Sequence, residues 1–507
     1  MHTWEVQSLA WLIPTISALV LLYVTSAYKT LWWMRSQIGK IASGLLLASL
    51  PFIFTTGLMF VTQLFLSILQ LWLILFGLRL VMGRLPEEFL RSSTKRGSLL
   101  AGLGLVLGIA SNLLIGQIDI ILLLVSLSMV IAIAFLTQLV WTFKHYRLRK
   151  LSNDLKLHNL PTVTLAIPAR NETHALSQCL KAAIESDYPK LEILVADDCS
   201  QDKTPELIRS FAHDGVRFIQ GEVPAEGWLG KNQACQTLAE QALGDYIIFA
   251  GVDTHLDPHS ITQLINYALS NQVSMVSVLP SSRASLSLGT LLPQLRYFWQ
   301  IVLPITRRRV PVASSCWMIK TDVLRQQGGF ESVRQKIVPE GSFARHLFSE
   351  GQYRFVISND ELSITTAKKW SSQNETALRL LYPTFKRQPM FILIAGLLLI
   401  CLLLMPFVLL IGGLIAWQFG LVFWLSLISS GLSILSYALV IWRTHPNTRL
   451  STCVTYPLSL VQELILLVVS MFLYEFGDVN WKGRNVCYPV IWQSHLPQMA
   501  PSKTRYR

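Results

Sequence analysis

The sequence predicts one open α/β sheet domain inserted between the membrane-spanning helices of a polytopic membrane protein. Two observations carry this expectation. The 507 residues are 52% hydrophobic and only 14% charged, with a mean hydropathy of +0.44, which is the composition of a chain that crosses a bilayer repeatedly. Residues 161–258 break that pattern, because there short β-branched or aromatic runs alternate with polar, acidic loop and helix segments. Length alone would allow two to four domains, but so apolar a chain has room for a single polar one.

The charge balance supports the same frame. Lys+Arg number 43 against 30 Asp+Glu, a net charge of +13, which in a soluble protein would raise nucleic acid as a partner. Here the basic residues cluster at the ends of apolar runs, at 29–40, 84–96, 144–150 and 443–449. That is the pattern of cytoplasmic loops beside an anionic leaflet, so the charge reports topology, and no nucleic acid is expected. The seven cysteines form no Cys-x-x-Cys pair and no regular framework; neither a zinc site nor a disulfide scaffold is indicated.

In chain order, residues 9–28 suffice for one crossing of about 20 residues. They lack the basic n-region and small-residue cleavage site of a signal peptide. Residues 40–79 carry no charge between their ends and split near Thr62 into two helices, so residues 1–97 hold about three. Residues 98–143 hold two more, 97–116 and 119–143. Five crossings put every basic loop on one side, which places residues 144–389 in the cytoplasm, beneath an inner or plasma membrane. Residues 390–442 are again charge-free, long enough for two helices broken around Gly412, Gly413 and Gly420. The last apolar run, 454–474, carries Pro457, Gln462 and Glu463. A full crossing there would leave Lys482, Arg484 and the basic tail outside, so a re-entrant or interfacial helix is expected within residues 390–475. Residues 476–507 form that tail.

Within the polar domain, the runs 163–167, 192–196, 216–220 and 246–250 have the length and apolar, β-branched character of buried parallel strands. Helical stretches 175–186, 205–213 and 230–242 lie between them, which argues for an open α/β sheet. Ligands bind beyond the carboxyl ends of the strands in such sheets, and three loop motifs fall there. They are Ile167-Pro168-Ala169-Arg170-Asn171-Glu172, then Asp197-Asp198-Cys199-Ser200-Gln201-Asp202-Lys203-Thr204, then Gly251-Val252-Asp253. Asp197 and Asp198 could accept hydrogen bonds from a nucleobase and its ribose, or form an Asp-rich helix-capping turn; the residues alone leave both open. Asp253 could hold Mg²⁺ or Mn²⁺ bridging two phosphates, since one or two carboxylates plus substrate oxygens are enough. A lone Asp in a turn is more often structural, but the order strand, acidic pair, strand, strand, acidic loop favours the site.

The sequence here resembles the membrane-bound inverting glycosyltransferases of family 2, which have the GT-A fold of nucleotide-diphospho-sugar transferases. It is most similar to the branch with ceramide glucosyltransferases and hopanoid- or carotenoid-associated enzymes. The resemblance covers roughly residues 120–488. It includes the two acidic loop motifs, Pro224-Ala225-Glu226-Gly227-Trp228-Leu229-Gly230-Lys231, Gly328-Gly329-Phe330 and Trp481-Lys482-Gly483-Arg484. It implies that Pro168, Asn171, Glu172 and Asp197 or Asp198 hold the nucleotide sugar, with Lys231 near the pyrophosphate as a point charge. It also implies that Asp253 is the metal ligand and Glu340 the catalytic base, the latter by matching Ala344-Arg345 to the helix that follows the family's acidic pair.

Two departures stand out. The family's Asp-x-Asp is Gly251-Val252-Asp253, which implies weakened rather than abolished nucleotide binding. The acidic pair is Pro339-Glu340, and Glu340 is equally a first-turn residue favoured by the helix dipole. The Gln-x-x-Arg-Trp segment of processive synthases is only echoed, by Lys368-Lys369-Trp370. Two glycosylation sequons, at Asn171 and Asn374, fall on the expected cytoplasmic side and read as chance. Residues 294–309, with Tyr297, Phe298, Trp299 and Arg307-Arg308-Arg309, could lie in the headgroup plane and guide a lipid; an ordinary packed helix is the competing arrangement, and the flanking membrane helices favour the first.

The resulting expectation is an enzyme that transfers a single hexose from a UDP-sugar to the hydroxyl of a membrane lipid, with inversion. A nucleotide- or lipid-binding scaffold descended from such an enzyme is the alternative, and a polysaccharide synthase a third.

Overall fold

The computed structural model describes residues 120–145, 160–282, 287, 291–476 and 479–485. The helices expected before residue 120 and most of the basic tail lie outside the described residues.

Four parallel strands form where the apolar runs stand, Val163–Ala169 (β1), Leu191–Asp197 (β2), Val216–Gln220 (β3) and Tyr246–Ala250 (β4), in the order β3-β2-β1-β4. Every residue of β4 and all but one of β1 are buried, as strands covered on both faces must be. The crossover helices Leu176–Ile184, Thr204–Ser210 and Gly230–Gln241 connect them. Leu176, Cys179, Leu180 and Ala183 of the first are buried, a spacing that puts them on one helix face, and they join Leu165, Ile167, Val195 and Ile248 in the core.

The sheet continues past the strands that sequence periodicity finds. Thr254–Leu256 (β5), Met275–Leu279 (β6), Ser281–Ser282 (β7), Cys316–Lys320 (β8), Tyr353–Ile357 (β9) and Ile364–Thr366 (β10) follow. β8 runs antiparallel between β4 and β6, and β9 pairs parallel with β6, so a seven-stranded mixed sheet results. Trp317 of β8 stacks on Phe249 of β4 with ring centroids 4.5 Å apart, Phe343 stacks on Trp317, and Phe330 packs edge-on to Phe249 and Phe343. β5, β10 and β7 form a small second sheet that carries the chain across the end of β4.

Four helices among the described residues are long and apolar enough to cross a membrane: Ile121–Lys144, Phe391–Ile415, Leu421–Thr444 and Tyr456–Glu475. The second contains a π-helical turn, Leu399–Leu404, just before Pro406. A proline lacks an N–H and its ring clashes with the carbonyl a turn earlier, and a π-bulge accommodates both. The break after it falls at Trp417, whose φ is +53°, within the glycine-bounded region expected. Tyr456–Phe476 is one continuous helix. Its Glu463 is buried and accepts hydrogen bonds from the Trp299 side chain and the Leu295 backbone, so the acid that argued against a crossing is satisfied inside the protein.

Residues 294–309 do not form a surface-lying amphipathic segment. Arg296–Val302 is a short helix with Phe298, Ile301 and Val302 buried, and the Phe298 ring lies edge-on to Phe135, Tyr437 and Tyr456. Arg309 turns back to donate to the carbonyls of Leu303 and Pro304. Burial of the aromatic face against neighbouring helices outweighs its exposure at a headgroup plane. The sheet, this helix and the C-terminal half of Leu421–Thr444 belong to one compact unit.

Candidate active site

The loop after β1 is laced to the loop after β2. Asn171 adopts φ +50°, a left-handed conformation that asparagine tolerates better than most residues. Its N–H donates to Ser200 Oγ at 3.0 Å and its Oδ1 accepts from the Gln201 N–H at 2.9 Å. The Glu172 N–H donates to Thr204 Oγ1 at 2.9 Å. Pro168 lies in β1 opposite Ala196.

The two adjacent aspartates have different surroundings. Asp197 is buried and its carboxylate accepts the Ser200 N–H at 3.2 Å, an Asx-type turn. Asp198 donates its N–H to Ala169 O at 2.8 Å, and its Oδ1 lies 2.5 Å from Arg484 Nη1. Oδ2 is buried with no hydrogen-bond partner. Burial pushes the Asp198 carboxyl above the usual range, against the opposing pull of Arg484 and Arg170.

Arg484 arrives on a hairpin, Asn480–Trp481 (β11) with Arg484–Asn485 (β12). The same hairpin sets Lys482 Nζ 2.8 Å from Glu172 Oε1 and presents the Lys482 carbonyl to Arg170 Nε at 2.9 Å. Gly230 makes this fit possible: a Cβ there would stand 2.2 Å from Arg484 Nη1 and 2.8 Å from Asp198 Oδ2. The amino end of the Gly230–Gln241 helix, and with it Lys231, can therefore approach the acidic loop.

Pro168, Asn171, Glu172, Asp198, Lys231, Asp253 and Glu340 all line one cavity of about 450 Å³; Asp197 sits behind Asp198 and does not. Asp253 follows β4, and its Oδ2 lies 3.8 Å from Lys368 Nζ. Lys368 also donates to Thr376 Oγ1 at 2.7 Å. Burial lowers the Lys368 pKa, as do Arg379, Lys231 and Arg296, while Asp253 raises it. Burial likewise pulls Arg379 down to about 10. Glu340 is buried at the start of the helix Glu340–Ser349, and the Ser314 hydroxyl donates to its Oε1. Tyr297, Phe298, Tyr437, Val440 and Ile441 line the same cavity, so polar and apolar chemistry share one space.

No group of three or more metal-ligating side chains occurs among the described residues. Asp253 does suit a hard divalent ion whose remaining ligands are phosphate oxygens and water: its carboxylate is 29% exposed and faces the cavity. Sequence reasoning assigned no role to Lys368, Arg379, Ser314, Lys482 or Arg484. Lys482 and Arg484 lay in the Trp481-Lys482-Gly483-Arg484 motif and Lys368 in the echo of Gln-x-x-Arg-Trp; nothing in the sequence signalled Arg379 or Ser314.

Residues 164–324 match the family model described as glycosyl transferase family 2. A probable glycosyltransferase of Bacillus subtilis is 30% identical over 132 residues, covering 24% of this chain and 31% of that protein. A 4,4'-diaponeurosporenoate glycosyltransferase of Staphylococcus aureus is 32% identical over 125 residues, covering 24% and 32%. The match thus spans about a third of these relatives' length. A mannosyltransferase structure from Pyrobaculum calidifontis, in complex with GDP-Man and Mn²⁺, aligns with 68% of this chain and 99% of its own at 18% identity and a TM-score of 0.40. The residues that match the glycosyl transferase family 2 model, 164–324, thus carry most of the GT-A-like mixed α/β sheet and the acidic loops at its strand ends.

Proposed function

We propose that this protein is a multi-pass membrane glycosyltransferase whose catalytic domain faces the cytoplasm, transferring one hexose from a UDP-sugar to a membrane lipid hydroxyl with inversion. The observation that carries the reading is one cavity lined together by residues of the loops after β1, β2 and β4, by aromatic and aliphatic side chains of apolar helices, and by Glu340. The relative that acts on a carotenoid acid supports a lipid-like acceptor.

In this mechanism the Glu340 carboxylate takes the proton of the acceptor hydroxyl as that oxygen attacks the anomeric carbon. The bond from that carbon to the phosphate oxygen breaks, and its electrons leave with the nucleoside diphosphate. Ser314, donating to Glu340, fixes the orientation of the carboxylate. Lys231, at the helix amino end, meets the developing phosphate charge. Mg²⁺ or Mn²⁺ held by Asp253 would neutralise the same two phosphates. Apolar walls toward Tyr437 and Ile441 exclude water, which disfavours hydrolysis.

Gly251, in place of a first metal-side acid, favours a second reading in which the chain binds nucleotide without turning it over. Purified protein in detergent, given a panel of nucleotide sugars, Mn²⁺ or Mg²⁺ and a total lipid extract, separates the two. We expect UDP release and a labelled lipid from wild type, and a loss of roughly 10²–10⁴ in kcat for Glu340→Gln. Saturable UDP binding without any turnover would overturn the catalytic reading.

A further inference from the structure

Beside Gly251, where the first carboxylate is missing, a cation stands next to Asp253. Lys368 leaves the end of β10, where the Ala367 N–H reaches the Asp253 carbonyl at 3.4 Å, and its ammonium stands 3.8 Å from the Asp253 carboxylate. Thr376 Oγ1, in the second turn of the Trp370–Thr384 helix, accepts from the same ammonium at 2.7 Å, which fixes its position. The charged groups acting on Lys368 are Asp253, Arg379, Lys231 and Arg296. Asp253 is thus the one carboxylate among the groups acting on Lys368, though Glu172, Asp198, Glu340 and Glu375 also line the cavity, and the Lys231 ammonium makes no hydrogen bond or ion pair with a described residue.

An ion at Asp253 would share its carboxylate with an ammonium already beside it. A diphosphate entering the same space would meet that ammonium directly, and charge-assisted contacts to phosphate are the strong ones. We propose that Lys368 is a diphosphate-binding residue whose ammonium supplies charge that would otherwise fall to a divalent ion alone, so that nucleotide binding persists without metal. This rests on the nucleotide-sugar reading above and gives a role to Lys368, which the sequence offered only within an echo of the Gln-x-x-Arg-Trp segment.

The test is equilibrium binding of UDP to the full-length protein in detergent, in EDTA and in Mn²⁺, for wild type, Lys368→Met and Lys368→Arg. We expect wild-type affinity in EDTA within about fivefold of that in Mn²⁺, and Lys368→Met weaker in EDTA by about tenfold or more, with most of the loss recovered by Mn²⁺. Recovery by Mn²⁺ would itself show that the variant is folded. Lys368→Arg, which keeps the charge, is expected within about threefold of wild type in EDTA. UDP binding by wild type that appears only with Mn²⁺, or Lys368→Met binding like wild type in EDTA, overturns the proposal. If wild type binds neither UDP nor GDP in either medium, the nucleotide-sugar reading falls first and takes this assignment with it.

Discussion

Replacing Arg484 by Met tests how the C-terminal hairpin and the acidic loop depend on each other. Asp198 keeps 6% of its side-chain surface exposed and Arg484 22%, and they meet at 2.5 Å. Removing one partner of a buried pair costs about 3–5 kcal/mol, because the other charge is left uncompensated. Protonation caps the cost: holding a carboxyl of ordinary pKa about 3.9 neutral at pH 7 costs about 4 kcal/mol. Arg170 stays close, donating to the Asp198 and Cys199 carbonyls, so the loss should be about 2–4 kcal/mol, or roughly 5–15 °C in melting temperature. The pH dependence has a definite sign. The folded pKa of Asp198 is raised by burial, so the folded protein binds that proton more tightly, and stability falls as pH rises from the ordinary carboxylate range through the raised value. Arg484 holds this shift in check; without it the falling segment extends to higher pH. The deficit of Arg484→Met should therefore be small near pH 5 and full near pH 8. Thermal unfolding followed by tryptophan fluorescence in detergent measures this. Adding Asp198→Asn should recover most of the loss at pH 8. Equal losses at both pH values, with no recovery by Asp198→Asn, would refute the reasoning.

The remaining predictions use the same contacts. Lys482→Met breaks a pair with Glu172 in which both side chains are over a fifth exposed, so its cost should be about 0–1 kcal/mol and its melting temperature close to wild type, unlike Arg484→Met. Gly230→Ala puts a Cβ against the Arg484 guanidinium and Asp198 Oδ2. The guanidinium can swing away, so a stability loss of about 1–3 kcal/mol is expected, below that of Arg484→Met combined with it; additive losses in the double variant would count against a shared contact. A Cβ at Gly251 is tight only against the far end of the Asp253 side chain, at 2.8 Å, which can turn; Thr254 Oγ1 and the Ser315 carbonyl lie at ordinary contact, 3.7 and 3.8 Å, so Gly251→Asp is accommodated. A second carboxylate should then tighten binding of Mn²⁺ to the UDP-saturated protein by about tenfold, measured by titration of Mn²⁺ itself; an unchanged Mn²⁺ affinity would count against a metal site beside Gly251.

The first half of the domain was legible because its signals are local. Four apolar runs and three helical stretches between 163 and 250 follow from residues a few positions apart, and the observed elements differ from them by at most a few residues at their ends. The four helices long and apolar enough to cross a membrane among the described residues were legible for the same reason, since about 20 consecutive apolar residues are read without reference to anything distant. The residues Asn171, Asp198, Lys231, Asp253 and Glu340 could be named from their loops and from a family pattern. What they touch could not. β8 enters the sheet antiparallel beside β4 because a mixed sheet closes that way, and no periodicity in 316–320 states its direction. Arg484 reaches Asp198 across 286 residues, and Lys482 reaches Asn171 across 311. Ser314 meets Glu340, and Lys368 meets Asp253, only after β10 crosses the end of β4. Sequence propensities act over a turn or a strand, whereas the pairing of charges in a buried site is decided by which segments the completed core brings within a few ångströms of each other.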